Sequence, residues 1–256
     1  VKNPTVTTLI DSESQLIEKT RTMKNTTLNT ISRTHYPKLE SMYLVKTPRI
    51  IQNLFPNFTW KVPSEDKTIY LTFDDGPNPE VTPWVLEQLA GYDAKATFFS
   101  IGENVEKFPN IFNQVIEAGH TTGNHTYNHV SGWASDNIPF FHNTRRCARL
   151  VNSSLFRPPF GRLKPKQAQF IQRHYRIVMW DVLSGDFDQN ITNEQCLSNV
   201  VKNAEEGSIV VFHDSVKAKE KLQFVLPKVL EHFSALGYKF EQLNDDMLEK
   251  RALKIA

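Results

Sequence analysis

Apolar and polar residues alternate in blocks along most of the chain, and the block lengths predict strands followed by helices. Thr68 to Phe73 is a short, nearly continuous β-rich run, closed by Asp74-Asp75-Gly76-Pro77 as a turn. Pro83 opens a helical pattern through Val85, Leu86 and Leu89 that stops near Gly91. Ala96 to Ile101 is a buried strand, followed by a helix from Pro109 to Gly119 and a short strand or loop over Thr121–Thr126. The alternation continues with a helix at 139–152, a strand at Leu155–Arg157 and a helix at Lys164–His174. Arg176–Val182 reads as one strand, Asn193–Glu205 as a helix and Ser208–Phe212 as a strand ending at His213. A helix over Lys221–Leu236 and a strand over Tyr238–Leu243 complete the pattern. Strand and helix in strict alternation predict parallel β/α units, about seven of them.

The first 41 residues behave differently. They hold thirteen Ser and Thr, no Gly and little periodicity, and predict a disordered extension with one short helix near Ser12–Met23. From Met42 the character changes: Ile50, Ile51, Leu54 and Phe55 at helical spacing after Pro48 predict a short helix packed on a barrel end. The expected organisation is therefore an extension (1–41), a lead-in (42–67), a catalytic domain (68–245) and a tail (246–256).

Charge sharpens this division. The net +2 lies wholly in residues 1–41, with six Lys and Arg against four Asp and Glu, and the remainder is formally neutral. A neutral domain offers no field for nucleic acid. Two Cys without a CxxC pair exclude a disulfide scaffold and a four-cysteine zinc module. No apolar run approaches the ~20 residues that span a bilayer. No apolar h-region follows Lys2, so the sequence as written reads as cytoplasmic, whereas a cell-wall substrate would point to the envelope or outside. The oligomeric state leaves no trace in the pattern.

Ionisable residues collect where the predicted strands end: Asp74 and Asp75, His125 and His129, Arg157, Asp186 and Asp188, and His213. In β/α barrels that end carries the active site, and this convergence is the main argument for an enzyme. In His125-Thr126-Tyr127-Asn128-His129 the four-residue spacing would put both imidazoles on one side of a helical turn, close enough to share a cation. With one carboxylate added, coordination positions stay open, as catalytic zinc or iron requires. His213 at such a rim suits proton transfer. Arg157-Pro158-Pro159-Phe160-Gly161 is a rigid loop that could aim a main-chain N–H at a ligand. Trp133 and Tyr127 are placed to stack on a sugar ring. Trp84, Trp180, Phe98 and Phe99 read as core, as do Cys147 and Cys196. The five other His carry no assigned role.

These segments together resemble the polysaccharide deacetylases of carbohydrate esterase family 4, the NodB homology domain, over about residues 68–243. The resemblance rests on Thr72-Phe73-Asp74-Asp75-Gly76-Pro77, His125 to His129, Arg157 to Gly161 with Phe where Tyr is common, Asp186-Phe187 with Phe for Trp, and Ile209 to His213. It implies an α/β fold, a deformed (β/α)7 barrel in a single domain with an N-terminal extension. It also implies one divalent metal, usually Zn2+, with Co2+, Ni2+ or Mn2+ as alternatives. Asp75, His125 and His129 would bind that metal. Asp74 would be the general base toward metal-bound water, and the Phe160 N–H would help hold the oxyanion. His213 would be the general acid, with Arg157 orienting Asp74 and Asp186 pairing with His213. The implied reaction removes N-acetyl groups from an acetylated amino-sugar polymer or oligomer, of the peptidoglycan or chitin type. O-acetyl ester removal from xylan-like sugars, deformylation of a sugar lipid, and a non-catalytic carbohydrate-binding barrel are the alternatives. Leu183 stands where the family often has an Asp. Leu183 and Phe187 therefore change the groove wall and bear on the substrate before the chemistry.

Overall fold

The computed structural model describes residues 43–63 and 66–244. The expectations for residues 1–41 and 246–256 lie outside them. Among the described residues, eight parallel strands form one sheet. They are β1 (Thr68–Asp74), β2 (Thr97–Ser100), β3 (Thr121–Asn124), β4 (Leu155–Phe156), β5 (Arg176–Ile177), β6 (Val182–Leu183), β7 (Ile209–His213) and β8 (Lys239–Phe240). Seven run in the order β5-β4-β3-β2-β1-β7-β6, and β8 pairs with the start of β1. The path curls without pairing β5 to β6, which makes it the deformed β/α barrel that the family resemblance implies. The helices are α1 (Arg49–Leu54), α2 (Thr82–Ala90), α3 (Gly102–Lys107), α4 (Pro109–Glu117), α5 (Asn137–Ala148), α6 (Pro165–Ile171), α7 (Asn193–Val201) and α8 (Lys219–Ala235). No helix among the described residues is long and apolar enough to cross a membrane.

The strand period of two sorts the side chains into two compartments. Ile69, Leu71 and Phe73 of β1, with Val210 and Phe212 of β7, pack outward on α2, α7 and α8. Phe73 lies against Phe98 and Phe212, with ring centroids 5.0 and 5.9 Å apart. Tyr70 and Ile209 face the barrel interior with Phe99 and Val178. Continuing the same alternation, Thr72 and Asp74 point inward at the top of β1, and Val211 and His213 at the top of β7. The register pairs Asp74 with both His213 and Phe99, so the base of the site is set by the central strand. That strand is buried along its whole length, as a parallel sheet covered on both faces requires.

Three local expectations are corrected. Arg176–Val182 is not one strand: β5 and β6 are separated by residues 178–181, whose backbone bonds go partly to the lead-in. Thr59 bonds Ile177 and Met179, while Val45 and Thr47 bond Leu183 and Asp181. The lead-in thus occupies the opening between the two edge strands. It is anchored by Lys46 Nζ on the buried Asp181 carboxylate at 2.6 Å, which also takes Ser208 Oγ at 2.5 Å. Helix α1 forms where the spacing put it, but only Ile51 packs inward, and Ile50 and Leu54 are exposed. A short helix, α3, begins at Gly102, where the pattern showed only a strand end.

Candidate active site

Around the upper rim a cavity of about 540 Å3 is lined by Asp74, Asp75, His125, His129, Phe160 and His213, among others. Three groupings of side chains meet there. The first is Asp75 with two imidazoles. His129 Nε2 lies 3.3 Å and His125 Nε2 3.7 Å from Asp75 Oδ1, and one ligand atom from each residue falls within 4.8 Å of the others. His125 is buried, and its Nδ1 lies 2.8 Å from the Arg157 carbonyl. A carbonyl only accepts, so Nδ1 carries the proton and Nε2 turns its lone pair toward Asp75. Burial first, then the neighbouring His129, lowers the His125 pKa to about 3, so the ring is neutral and able to ligate. Asp75 Oδ1 is buried and has no hydrogen-bond partner. The neutral His125 imidazole and the His129 ring, set around an orphaned carboxylate oxygen, fit a divalent cation of the zinc type.

The two His do not meet by the helical spacing that the sequence led one to expect. Residues 125–130 are a loop, and Thr126 (φ 66°) and His129 (φ 57°) are left-handed. Asp75 (φ 81°) and Phe160 (φ 59°) are left-handed too, so four of the five positive-φ non-glycine residues described lie here. Each such residue costs about 1–3 kcal/mol, and their gathering at one cavity marks it as a functional site.

The second grouping is Asp74 with Arg157, both buried. Arg157 Nη1 donates to Asp74 Oδ1 and to Thr72 Oγ1, each at 2.7 Å. Its Nε and Nη2 donate to the carbonyls of Val178 and Met179, and the guanidinium lies 4.1 Å over the Phe99 ring. Every edge of the fork is held, so Asp74 is oriented by a rigid partner.

The third is His213 with Asp186. His213 Nδ1 lies 2.8 Å from Asp186 Oδ1, and its backbone N–H donates to Oδ2 at 2.7 Å. Burial pulls the imidazole pKa down, but the Asp186 charge and hydrogen bond outweigh it, with Asp75 and Asp74 adding to the field. The net result is about 9, so the ring is protonated at neutral pH.

Phe160 sits in a tight turn, Pro159–Gly161, with its ring exposed against His129 at 4.6 Å. Pro158 and Pro159 lack an N–H, and those of Gly161 and Arg162 bond the carbonyls of Pro158 and Pro159. Trp133 is exposed, with Arg162 over its ring at 5.2 Å. Tyr127 is not free to stack on a sugar: it is buried, bonded to Glu106 and covered by Arg146 at 3.5 Å. Trp180, read as core, lines the cavity, while Cys147 and Cys196 are buried and free. Asp188 holds the Asn190 backbone and side chain beside the site. Asp214 escaped the sequence reading: its carboxyl is buried under the turn after Asp75, and burial pushes its pKa up to about 8. The only signal was its place directly after His213.

The polysaccharide deacetylase family model matches residues 61–175, a span that holds Asp74, Asp75, His125, His129, Arg157 and Phe160. A peptidoglycan-N-acetylglucosamine deacetylase from Bacillus cereus is 36% identical over 201 residues, covering 73% of this chain and 91% of that protein. A chitooligosaccharide deacetylase from Azorhizobium caulinodans is 31% identical over 172 residues, covering 62% of this chain and 80% of that protein. The crystal structure of the Bc1960 peptidoglycan N-acetylglucosamine deacetylase, in complex with 4-naphthalen-1-yl-N-oxidanyl-benzamide, superposes with a TM-score of 0.69 at 29% identity. It covers 77% of this chain and 95% of that one.

Proposed function

Because this chain belongs to the polysaccharide deacetylase family, we propose that it hydrolyses the N-acetyl amide of an N-acetylhexosamine-containing poly- or oligosaccharide, of the peptidoglycan or chitin type. The observation that carries this reading is the ring of three groupings around one cavity. The orphaned Asp75 oxygen faces two imidazoles, flanked by the Asp74–Arg157 pair and the His213–Asp186 pair.

Asp75, His125 and His129 would hold one divalent ion, with zinc favoured by the donor set. When bound, such an ion supplies Lewis-acid polarisation and activation of water. Asp74 accepts the proton of the attacking water. Arg157 donates to one of its oxygens and leaves the other for that proton. The Phe160 N–H, held by a turn with no competing proline donors, takes the charge that develops on the acetamide oxygen. His213, with Nδ1–H given to Asp186, delivers its Nε2 proton to the sugar nitrogen as the C–N bond breaks. The products are acetate and a free amine.

The test is a product assay over chitooligosaccharides, peptidoglycan strands and acetyl-xylan, reading released acetate and new primary amine together. Equal amounts of both from an amino-sugar polymer are expected. Acetate without amine would replace this reading with ester hydrolysis. Sugar binding with no acetate from any of the three would leave a binding barrel.

A further inference from the structure

Asp214 follows His213 directly and has no part in the chemistry above. It is 1% exposed. A carboxyl group buried so deeply needs partners to offset its desolvation. Its partners lie between the end of β1 and the start of α2, the stretch that carries Asp75. Oδ1 accepts the Gly76 N–H at 2.9 Å, Oδ2 lies 2.5 Å from Thr82 Oγ1, and the Asp214 N–H donates to the Asp74 carbonyl at 3.1 Å. Thr82 Oγ1 also accepts the Asn78 N–H at 2.7 Å, so the chain from Asp74 to Thr82 is wrapped around one carboxyl. Gly76 is the residue this arrangement demands, since a Cβ there would overlap Asp214 Oδ2.

Asp75 itself lies in the left-handed region, which a non-glycine residue holds only where its surroundings determine it. Three contacts do so. Asp75 N–H donates to the Phe99 carbonyl at 3.3 Å, Asn104 Nδ2 donates to the Asp75 carbonyl at 2.8 Å, and the next peptide is tied down through Gly76 to Asp214. Of these, only the Asp214 tie runs to a side chain from the strand that bears the proton-donating His213.

We propose that Asp214 is a positioning residue for the Asp75–His125–His129 cluster, clamping the Asp75–Gly76 turn so that Asp75 Oδ1 is presented to both imidazoles for a divalent cation. It touches neither cation nor substrate and acts through the Gly76 peptide. The inference rests on the reading that the cluster holds such an ion.

Zinc alone, titrated calorimetrically into the full chain after chelator treatment, tests it with Asp214→Ala, Asp214→Asn and Thr82→Val. Asp214→Ala should weaken zinc binding at least about tenfold, the scale that partners behind metal ligands carry. In Asp214→Asn the carbonyl still accepts from Gly76 and the amide still reaches Thr82 Oγ1, so affinity should stay within about threefold. Thr82→Val, which removes one of the two side-chain contacts, should fall between them. Zinc affinity of folded Asp214→Ala within about threefold of wild type overturns the proposal. An Asn variant as impaired as the Ala variant also overturns it. Should Asp214→Ala not fold, an unchanged zinc affinity in Thr82→Val overturns it. A wild-type chain that takes up no zinc refutes the metal-site reading itself and the proposal with it; unchanged affinity in the variants refutes the proposal alone.

Discussion

Replacing Asp186 with Asn removes one charge from beneath His213 and almost no volume. In the wild type both Asp186 oxygens receive donors from His213, Nδ1–H and the backbone N–H. Asn has one acceptor. Its oxygen can keep the backbone N–H only if its amide turns toward Nδ1, which favours the neutral ring protonated at Nε2. The difference between an ordinary imidazole at 6.5 and His213 at about 9 corresponds to roughly 3 kcal/mol favouring the protonated ring. Asp186 is the strongest of the carboxylates acting on it. Without that charge, burial dominates and the pKa should fall below 6.5. At pH 7.5 the wild-type ring is then about 97% protonated and the variant ring less than about 10%, a loss of at least roughly tenfold in kcat/KM. The assay is a pH profile of kcat/KM on a soluble N-acetylglucosamine oligomer. The wild-type alkaline limb should lie near pH 9 and the Asp186→Asn limb below 6.5. An alkaline limb that does not move would refute His213 as the proton donor to the amine.

The same pair predicts a pH dependence of stability. A pKa raised on folding contributes fully below pH 6.5 and is lost as pH rises through about 9, so urea midpoints should decline across that window and flatten in Asp186→Asn. Arg157→Ala leaves Asp74 buried without its partner and two carbonyls unmet, which should cost about 3–5 kcal/mol in chemical unfolding. Asp181→Asn weakens the Lys46 anchor and should speed amide exchange at Thr47 and Leu183, with about 1–2 kcal/mol lost. Gly76→Ala pushes a methyl into the Asp214 carboxyl and should destabilise by about 1–3 kcal/mol while weakening zinc binding.

The barrel was legible because its strands are short apolar runs punctuated by Gly, Pro and Asp, and a strand buried on both faces leaves a strong pattern. Asp74 and His213 could both be placed at the rim because each closes such a run; that they stand side by side is seen only in the register. Less could be read where tertiary contacts override local pattern. Residues 178–181 look like a continuous strand, yet they turn to pair with a lead-in more than a hundred residues earlier in the chain. His125 and His129 converge through left-handed backbone, a conformation Thr and His rarely adopt and the sequence does not advertise. Tyr127 seemed available to a sugar because the Glu106 and Arg146 that cover it come from other helices. Asp214 is a single acid after a strand, and only the packing around Gly76 distinguishes it from a turn residue.

The central claim is that Asp75, His125 and His129 hold the ion on which amide hydrolysis depends. Its most direct test measures amine release from an N-acetylglucosamine oligomer after chelation and during stepwise zinc return, in wild type and in Asp75→Ala. Activity should vanish with chelator, return in full at one zinc per chain, and stay absent in Asp75→Ala at any zinc concentration used. Turnover that survives chelation, or an Asp75→Ala chain that regains wild-type rate with zinc, would contradict the account.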